Sequence, residues 1–337
     1  MAPADAPPPA RRTLRRATTA VAALAGAALA AWLLAQYGAA AVARLLLRAG
    51  WGIFFVIALH GMQLWLTAIG WRALMPAAAP SRAWLTTLRM VREGVNTLVP
   101  SGQIGGLVAA MRLLGRHGLR AAEAVAATVV DISVELVTQI VFTLLGLALL
   151  VVELGHLPFA VPLFAGVAVL AAMLAALLGA QRFGLFRLSE RVAARFGLRN
   201  VEGLHEAVLA LYRRPARLAW SAACHLLAWA LGAVEVCVAL HFLGQDIGPA
   251  EGFVIESLGQ TIRAASFAIP AALGVQEGGY VLLCGLFAIP PDAALALSLV
   301  KRLRELCFAA PSLMLWQRME AGGRPAPITP PGSRSTR

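Results

Sequence analysis

The stretch AVAATVVDISVELVTQIVFTLLGLALLVV, residues 124–152, is apolar from end to end except for one short polar stripe. About 20 predominantly apolar residues are enough to cross the hydrocarbon core of a bilayer as a helix. This stretch is longer than that and holds no proline, so it reads as a membrane-spanning helix. Asp131 and Glu135 are four residues apart and therefore share one helix face, which Thr128, Thr138 and Gln139 extend. A charge at the bilayer centre costs about 2.5–3.5 kcal/mol on insertion scales, so both acids need cationic partners or water.

Outward from this helix, the same reading gives spans at Ala17–Tyr37, Trp51–Ile69, Phe159–Ala180, Leu218–Phe242 and Asp292–Trp316. Composition agrees. Of the 337 residues, 59% are apolar and 14% charged, against roughly 45–50% and 25% in soluble domains. No stretch is left for a soluble catalytic domain of ordinary size. Residues 1–16 read as a disordered basic tail and 318–337 as a second disordered tail, leaving one membrane domain over 17–317. A cleaved signal peptide is the rival reading of the first span, but its apolar run is long for one.

The net charge is +12. The basic residues lie between apolar spans rather than on a soluble face, which argues against nucleic acid and for membrane orientation. Placing Arg11–Arg16, the arginines of 72–92, 112–120 and 182–217, and the C-terminal tail in the cytoplasm leaves only Arg44 and Arg48 in outside loops. An acidic loop near 246–251 (Asp246, Glu251) then lies outside. Residues 185–211 place Leu185, Leu188, Val192 and Phe196 at helical spacing among arginines, the pattern of a surface-lying cytoplasmic helix. Cys224, Cys237, Cys284 and Cys307 sit singly in apolar stretches, as small buried hydrophobes do.

Two apolar stretches are broken. Trp84–Leu114 is interrupted by Pro100, Gly102, Gly105 and Gly106, and Gly252–Ile289 by Pro270, Gly274, Gly278 and Gly279. Proline and glycine both interrupt helices, so each stretch reads as two short helices joined by a turn. At membrane depth such irregular backbone belongs where protein or water surrounds it, hence as a re-entrant hairpin. The spacing from Gly106 to Asp131 is 25 residues, and from Gly279 to Arg304 again 25. The expected fold is all-α: a polytopic helix bundle whose two hairpins form an inverted repeat, about 84–152 and 252–317, around a midplane site.

Lys301, Arg302, Arg304 and Glu305 cluster inside the last span, and pairing Asp131 and Glu135 with Arg302 or Arg304 is the direct way to neutralise them. Lys301 or Arg302 can neutralise Glu305 on its own helix. Glu256, Arg263, Gln276 and Glu277 belong to the second hairpin; Arg92, Glu93 and Asn96 hold matching places in the first. Helix N-termini at the hairpin tips would offer N–H groups to an anion such as a lipid phosphate. Ion pairs that only staple helices together are the plainer reading. His225, Glu235 and His241 are weaker candidates, since a lone histidine in a helix bundle is more often a satisfied core residue. No H-E-x-x-H, G-x-S-x-G, Walker A or redox cysteine pair is present, so neither a metal nor another cofactor is expected.

REGVNTLVPSGQIGG (92–106), VVDISVELVTQ (129–139), AIPAALGVQEGG (268–279) and LSLVKRLREL (297–306) together resemble the flippase-like superfamily. This is the membrane region of lysylphosphatidylglycerol synthases and stand-alone relatives, and the wording here is closest to the hopanoid-associated branch. The resemblance implies a bacterial inner-membrane protein with both termini cytoplasmic, translocating or handling an anionic or hopanoid-type lipid, with lipid-biosynthesis proteins as further partners. Its motif positions fall on Arg92, Glu93, Asn96, Pro100, Gly105, Gly106, Asp131, Glu135, Glu277, Gly278, Gly279, Lys301, Arg302 and Glu305. Aminoacyl transfer is not implied, because the synthases' soluble domain has no counterpart in these residues. A membrane-embedded lipid-modifying enzyme using Asp131, Glu135 or Glu277, and a non-catalytic scaffold, are the alternatives.

Overall fold

The computed structural model describes residues 39–98, 104–155, 203–266 and 272–321, with a few single positions beside them. The spans at 17–37 and 159–180, the two tails, most of 185–211, and Pro100, Gly102 and Pro270 lie largely or wholly outside the described residues. Regular structure among the described residues is helical throughout: α1 (Ala39–Ala49), α2 (Gly52–Ala73), α3 (Arg82–Leu98), α4 (Gly105–Arg116), α5 (Ala121–Leu154), α6 (Leu204–Tyr212), α7 (Pro215–Phe242), α8 (Pro249–Ala265), α9 (Val275–Gly285) and α10 (Pro291–Ala321). Proline opens α7, α8 and α10, where its missing N–H would have no partner in any case.

Among the described residues, α2, α5 and α7 are long and apolar enough to cross a membrane. Large apolar side chains such as Phe54, Phe55, Trp65, Leu144 and Leu145 point outward from them. Exposed apolar surface on helices of this length suits contact with lipid. α10 has the length of a spanning helix, but Lys301, Arg302, Arg304 and Glu305 interrupt its apolar run. Both broken stretches are two helices with a short connection, α3–α4 and α8–α9.

Two large apolar clusters, with a smaller third around Leu150, Val254 and Leu258, form the interior. One gathers the end of α2 with α3, α4, α6 and the start of α5 around Trp71, Leu85, Leu113 and Val130. The other gathers α1, the start of α2, the end of α7, α8, α9 and the start of α10 around Val56, Leu240, Ile255 and Leu297. Along α2, His60 and Gln63 lie between Val56 of one cluster and Trp71 of the other. Along α10, Lys301 to Glu305 follow Val300 in the same way. A layer of polar side chains thus separates the two larger apolar cores.

The packing repeats with a step of five helices. α2 packs on α7; α3 on α10 and α8 on α5; α2 on α3 and α7 on α8; α3 on α4 and α8 on α9; α4 on α5 and α9 on α10; α1 on α10 and α6 on α5. Every one of these contacts maps onto another, or onto itself, when helices one to five exchange with six to ten. α2 and α7 run antiparallel, because Gly52 at the start of α2 meets Phe242 at the end of α7, while Gly70 meets Ser221 and Cys224. The crossings of α3 on α10 and of α8 on α5 use one device twice. A Cβ at Gly94 of α3 would fall 1.8 Å from Ser312 Oγ of α10, and a Cβ at Gly146 of α5 would fall 1.8 Å from Ser257 Oγ of α8. In each crossing a bare glycine admits a serine.

Candidate functional site

A cavity of about 160 Å³ lies in the polar layer, walled by three helices from each half. From the first half come His60, Gln63 and Thr67 of α2, Arg89 and Glu93 of α3, and Glu135 of α5. From the second come His225 and Trp229 of α7, Gln260 and Arg263 of α8, and Arg304 of α10. Liquid water takes about 30 Å³ per molecule. The cavity therefore has room for a few waters or one small polar group.

On one side, Asp131 accepts from Arg89 at 2.6 Å, Arg92 at 3.3 Å and His225 at 3.0 Å. Glu135 accepts from Arg89 at 3.0 Å and Arg92 at 2.9 Å. The i, i+4 spacing of the two acids on α5 meets the Arg89/Arg92 pair on α3, so each guanidinium reaches both carboxylates. The expected pairing of these acids with Arg302 or Arg304 does not occur, because α5 packs on α8 and α7 while α10 packs on α3.

Across the cavity, Arg304 donates to Glu235 at 2.7 Å and also meets His60 Nδ1. A guanidinium only donates, so His60 accepts at Nδ1 and carries its hydrogen on Nε2, which lies 3.0 Å from Glu93. Gln63 adds a bond to Glu235 at 2.8 Å. Glu305 pairs with Arg263 of α8 rather than with a cation of its own helix. The two histidines hold reciprocal places: His60 of α2 contacts Arg304 of α10, and His225 of α7 contacts Asp131 of α5.

The remaining candidates stand apart from the cavity. Lys301 is buried behind it, 2.6 Å from Glu256 and 3.4 Å from Glu235. Glu277 pairs with Arg302 at 2.5 Å and accepts the Gly274 N–H at 2.7 Å, so it caps α9. Gln276 contacts Ser298 at 3.5 Å. Asn96 caps the other hairpin by accepting the Gly106 N–H at 2.9 Å. Gly106 is required there, since a Cβ would lie 2.0 Å from the Arg92 carbonyl oxygen. The structure thus brings Arg92, Glu93, Asp131, Glu135, Arg263, Arg304 and Glu305 to one centre, and leaves Gln276, Glu277 and Arg302 at a separate α9–α10 contact.

Within this layer every guanidinium and ammonium group, on Arg89, Arg92, Arg263, Lys301, Arg302 and Arg304, meets a carboxylate. The cavity therefore presents paired charges rather than a bare cationic surface.

A comparison with protein families matches residues 19–311 to the profile described as lysylphosphatidylglycerol synthase TM region. The chain belongs to this family. Neither a curated protein nor a solved structure matches it. As a member of the lysylphosphatidylglycerol synthase transmembrane-region family with helices of spanning length, it is a multi-pass membrane protein. In this family member two central residues are not legible in the sequence: Arg89, which counts there with the cytoplasmic basic residues, and His60; His225 and Glu235, weaker candidates in the sequence, join the centre. Arg89 lies three residues before Arg92, so the helical repeat that pairs Asp131 with Glu135 also pairs these two arginines. No comparable signal marks His60.

Proposed function

We propose that the protein moves the polar end of a membrane lipid between leaflets through the central cavity. The observation that carries this reading is the cavity itself, walled by three helices of each half and crossed by the reciprocal His60–Arg304 and His225–Asp131 contacts. Helices α1–α5 and α6–α10 act as the two arms of an inverted repeat, longer than the 84–152 and 252–317 segments that sequence spacing suggests. The exchange symmetry of the packing and the antiparallel α2–α7 pair support that assignment. The hairpins α3–α4 and α8–α9 enter and leave the membrane on one side each. Rocking of the arms about the shared cavity opens it alternately to either leaflet, while the lipid tail stays in the bilayer.

The paired charges favour an uncharged or zwitterionic polar end over a bare anion, since a bare anion would have to displace a carboxylate from each arginine. A hopanoid-type lipid with an uncharged polar end falls in that class. A bacterial inner-membrane location is part of this reading, and the distribution of basic residues supports an orientation with both termini cytoplasmic.

Reconstitution in liposomes tests the reading. Accelerated transfer of a head-group-labelled zwitterionic or uncharged lipid is the expected result. Folded protein that accelerates transfer of none of the lipids of its native membrane would sink it.

A further inference from the structure

A second cavity, of about 640 Å³, opens where the last turn of α2, the loop to α3 and the first turn of α7 meet. Arg72, Arg82 and Arg217 line it, together with Ser81, Met75 and Trp220. Among the described residues no lining residue is acidic and none is shared with the central cavity. The contrast with the polar layer is chemical. There each cation meets a carboxylate. Here Arg72 donates to the carbonyls of Pro76 and Ala77 at 3.5 and 3.4 Å, and Arg217 to that of Met75 at 3.3 Å. Carbonyls hold these guanidinium groups in place, and among the described residues no carboxylate pairs with them.

Two further features favour an anion. α3 begins at Arg82 and α7 at Pro215, so the positive dipole ends of two helices border the cavity. Trp220 stands 58% exposed two turns into a spanning helix, and Ile69 lies one turn back from the end of α2. An exposed indole at this level is the usual mark of a membrane–water interface. A basic pocket between helix ends, rimmed by apolar side chains, suits a lipid phosphate with its acyl chains alongside.

We infer that this cavity binds the phosphodiester of an anionic phospholipid from the surrounding leaflet, at a site separate from the central cavity and independent of whether that cavity transports. The pocket is larger than a free phosphate needs, and its apolar rim gives such an ion nothing to contact.

The test uses the full-length protein in nanodiscs of phosphatidylcholine, alone or with phosphatidylglycerol, and in phosphatidylcholine with added inorganic phosphate. Thermal unfolding and native mass spectrometry of retained lipid are read together. Phosphatidylglycerol should raise the midpoint and stay bound to the extracted protein, and inorganic phosphate should do neither. Arg72→Gln with Arg217→Gln should abolish the preference. Arg82→Gln, a change at an exposed side chain, should weaken phosphatidylglycerol retention about tenfold through loss of one charge-assisted contact. Equal midpoints with and without phosphatidylglycerol would overturn the inference, as would protection by phosphate alone, which marks a free-anion site. Unchanged retention in folded Arg82→Gln protein would overturn it even if the double variant failed to fold.

Discussion

Arg89 donates to Asp131 at 2.6 Å with both side chains buried, joining the first arm of a broken stretch to the long helix that follows it. Breaking a buried pair by removing one partner costs about 3–5 kcal/mol, because the other charge stays buried without compensation. Asp131→Ala should therefore lower stability in detergent by about that amount. Arg89→Gln with Asp131→Asn should cost less than the sum of the single changes, with a coupling of about 1 kcal/mol or more in a double-mutant cycle. Additive losses would mean that the two side chains act independently.

Glu135 shares the same arginines but keeps 26% of its side chain exposed to the cavity, where Asp131 keeps none. Glu135→Gln should cost less stability than Asp131→Asn and still reduce lipid transfer about tenfold or more. Parallel unfolding and transfer measurements on both variants check this. Transfer that merely tracks stability in the two proteins would assign the pair to structure alone.

The two glycine–serine crossings respond differently to rescue. Gly146→Ala and Gly94→Ala should each destabilise by about 1–3 kcal/mol through overpacking. Adding Ser257→Gly should restore most of the loss at Gly146, where the next obstacle, the Phe253 carbonyl oxygen, is 3.9 Å away. Adding Ser312→Gly should restore less at Gly94, because the backbone of Ala309 lies 3.0 Å away on α10. Equal rescue at both sites would contradict the packing.

His60 and His225 link equivalent helix pairs. If rocking breaks and remakes both contacts, His60→Ala and His225→Ala should slow transfer to a similar extent, within about threefold of each other. Each should change the transfer rate more than the unfolding midpoint. A large effect from one histidine alone would argue against equivalent arms.

Much of the helix layout is legible in the sequence. Asp131, Pro100 with Gly105–Gly106, and the charged run of 301–305 mark a spanning helix, a break and a polar layer, because apolar length and helix-breaking residues act locally. The partners are less legible. Asp131 chooses Arg89 over Arg304 through the order in which helices pack, which no local pattern carries. Arg89 itself looks like one more member of a basic loop. His60 sits in an apolar run with no charged neighbour in sequence, and only tertiary structure brings Glu93 and Arg304 to it. Gln276, Glu277 and Arg302 lie near the centre in sequence spacing, but α9, entered at the turn at Gly274, presents Gln276 and Glu277 to Ser298 and Arg302 of α10 instead.

The polar layer also bears on biosynthesis. A helix carrying Lys301, Arg302, Arg304 and Glu305 enters a bilayer poorly by itself. Its partners, on His60, Glu235, Glu256, Arg263 and Glu277, all lie earlier in the chain. The same holds for Asp131 and Glu135, which follow Arg89 and Arg92. As the chain emerges from the ribosome, α5 and α10 therefore each arrive after the groups that neutralise them, and α10, the last of the described helices, completes the charge layer when it joins.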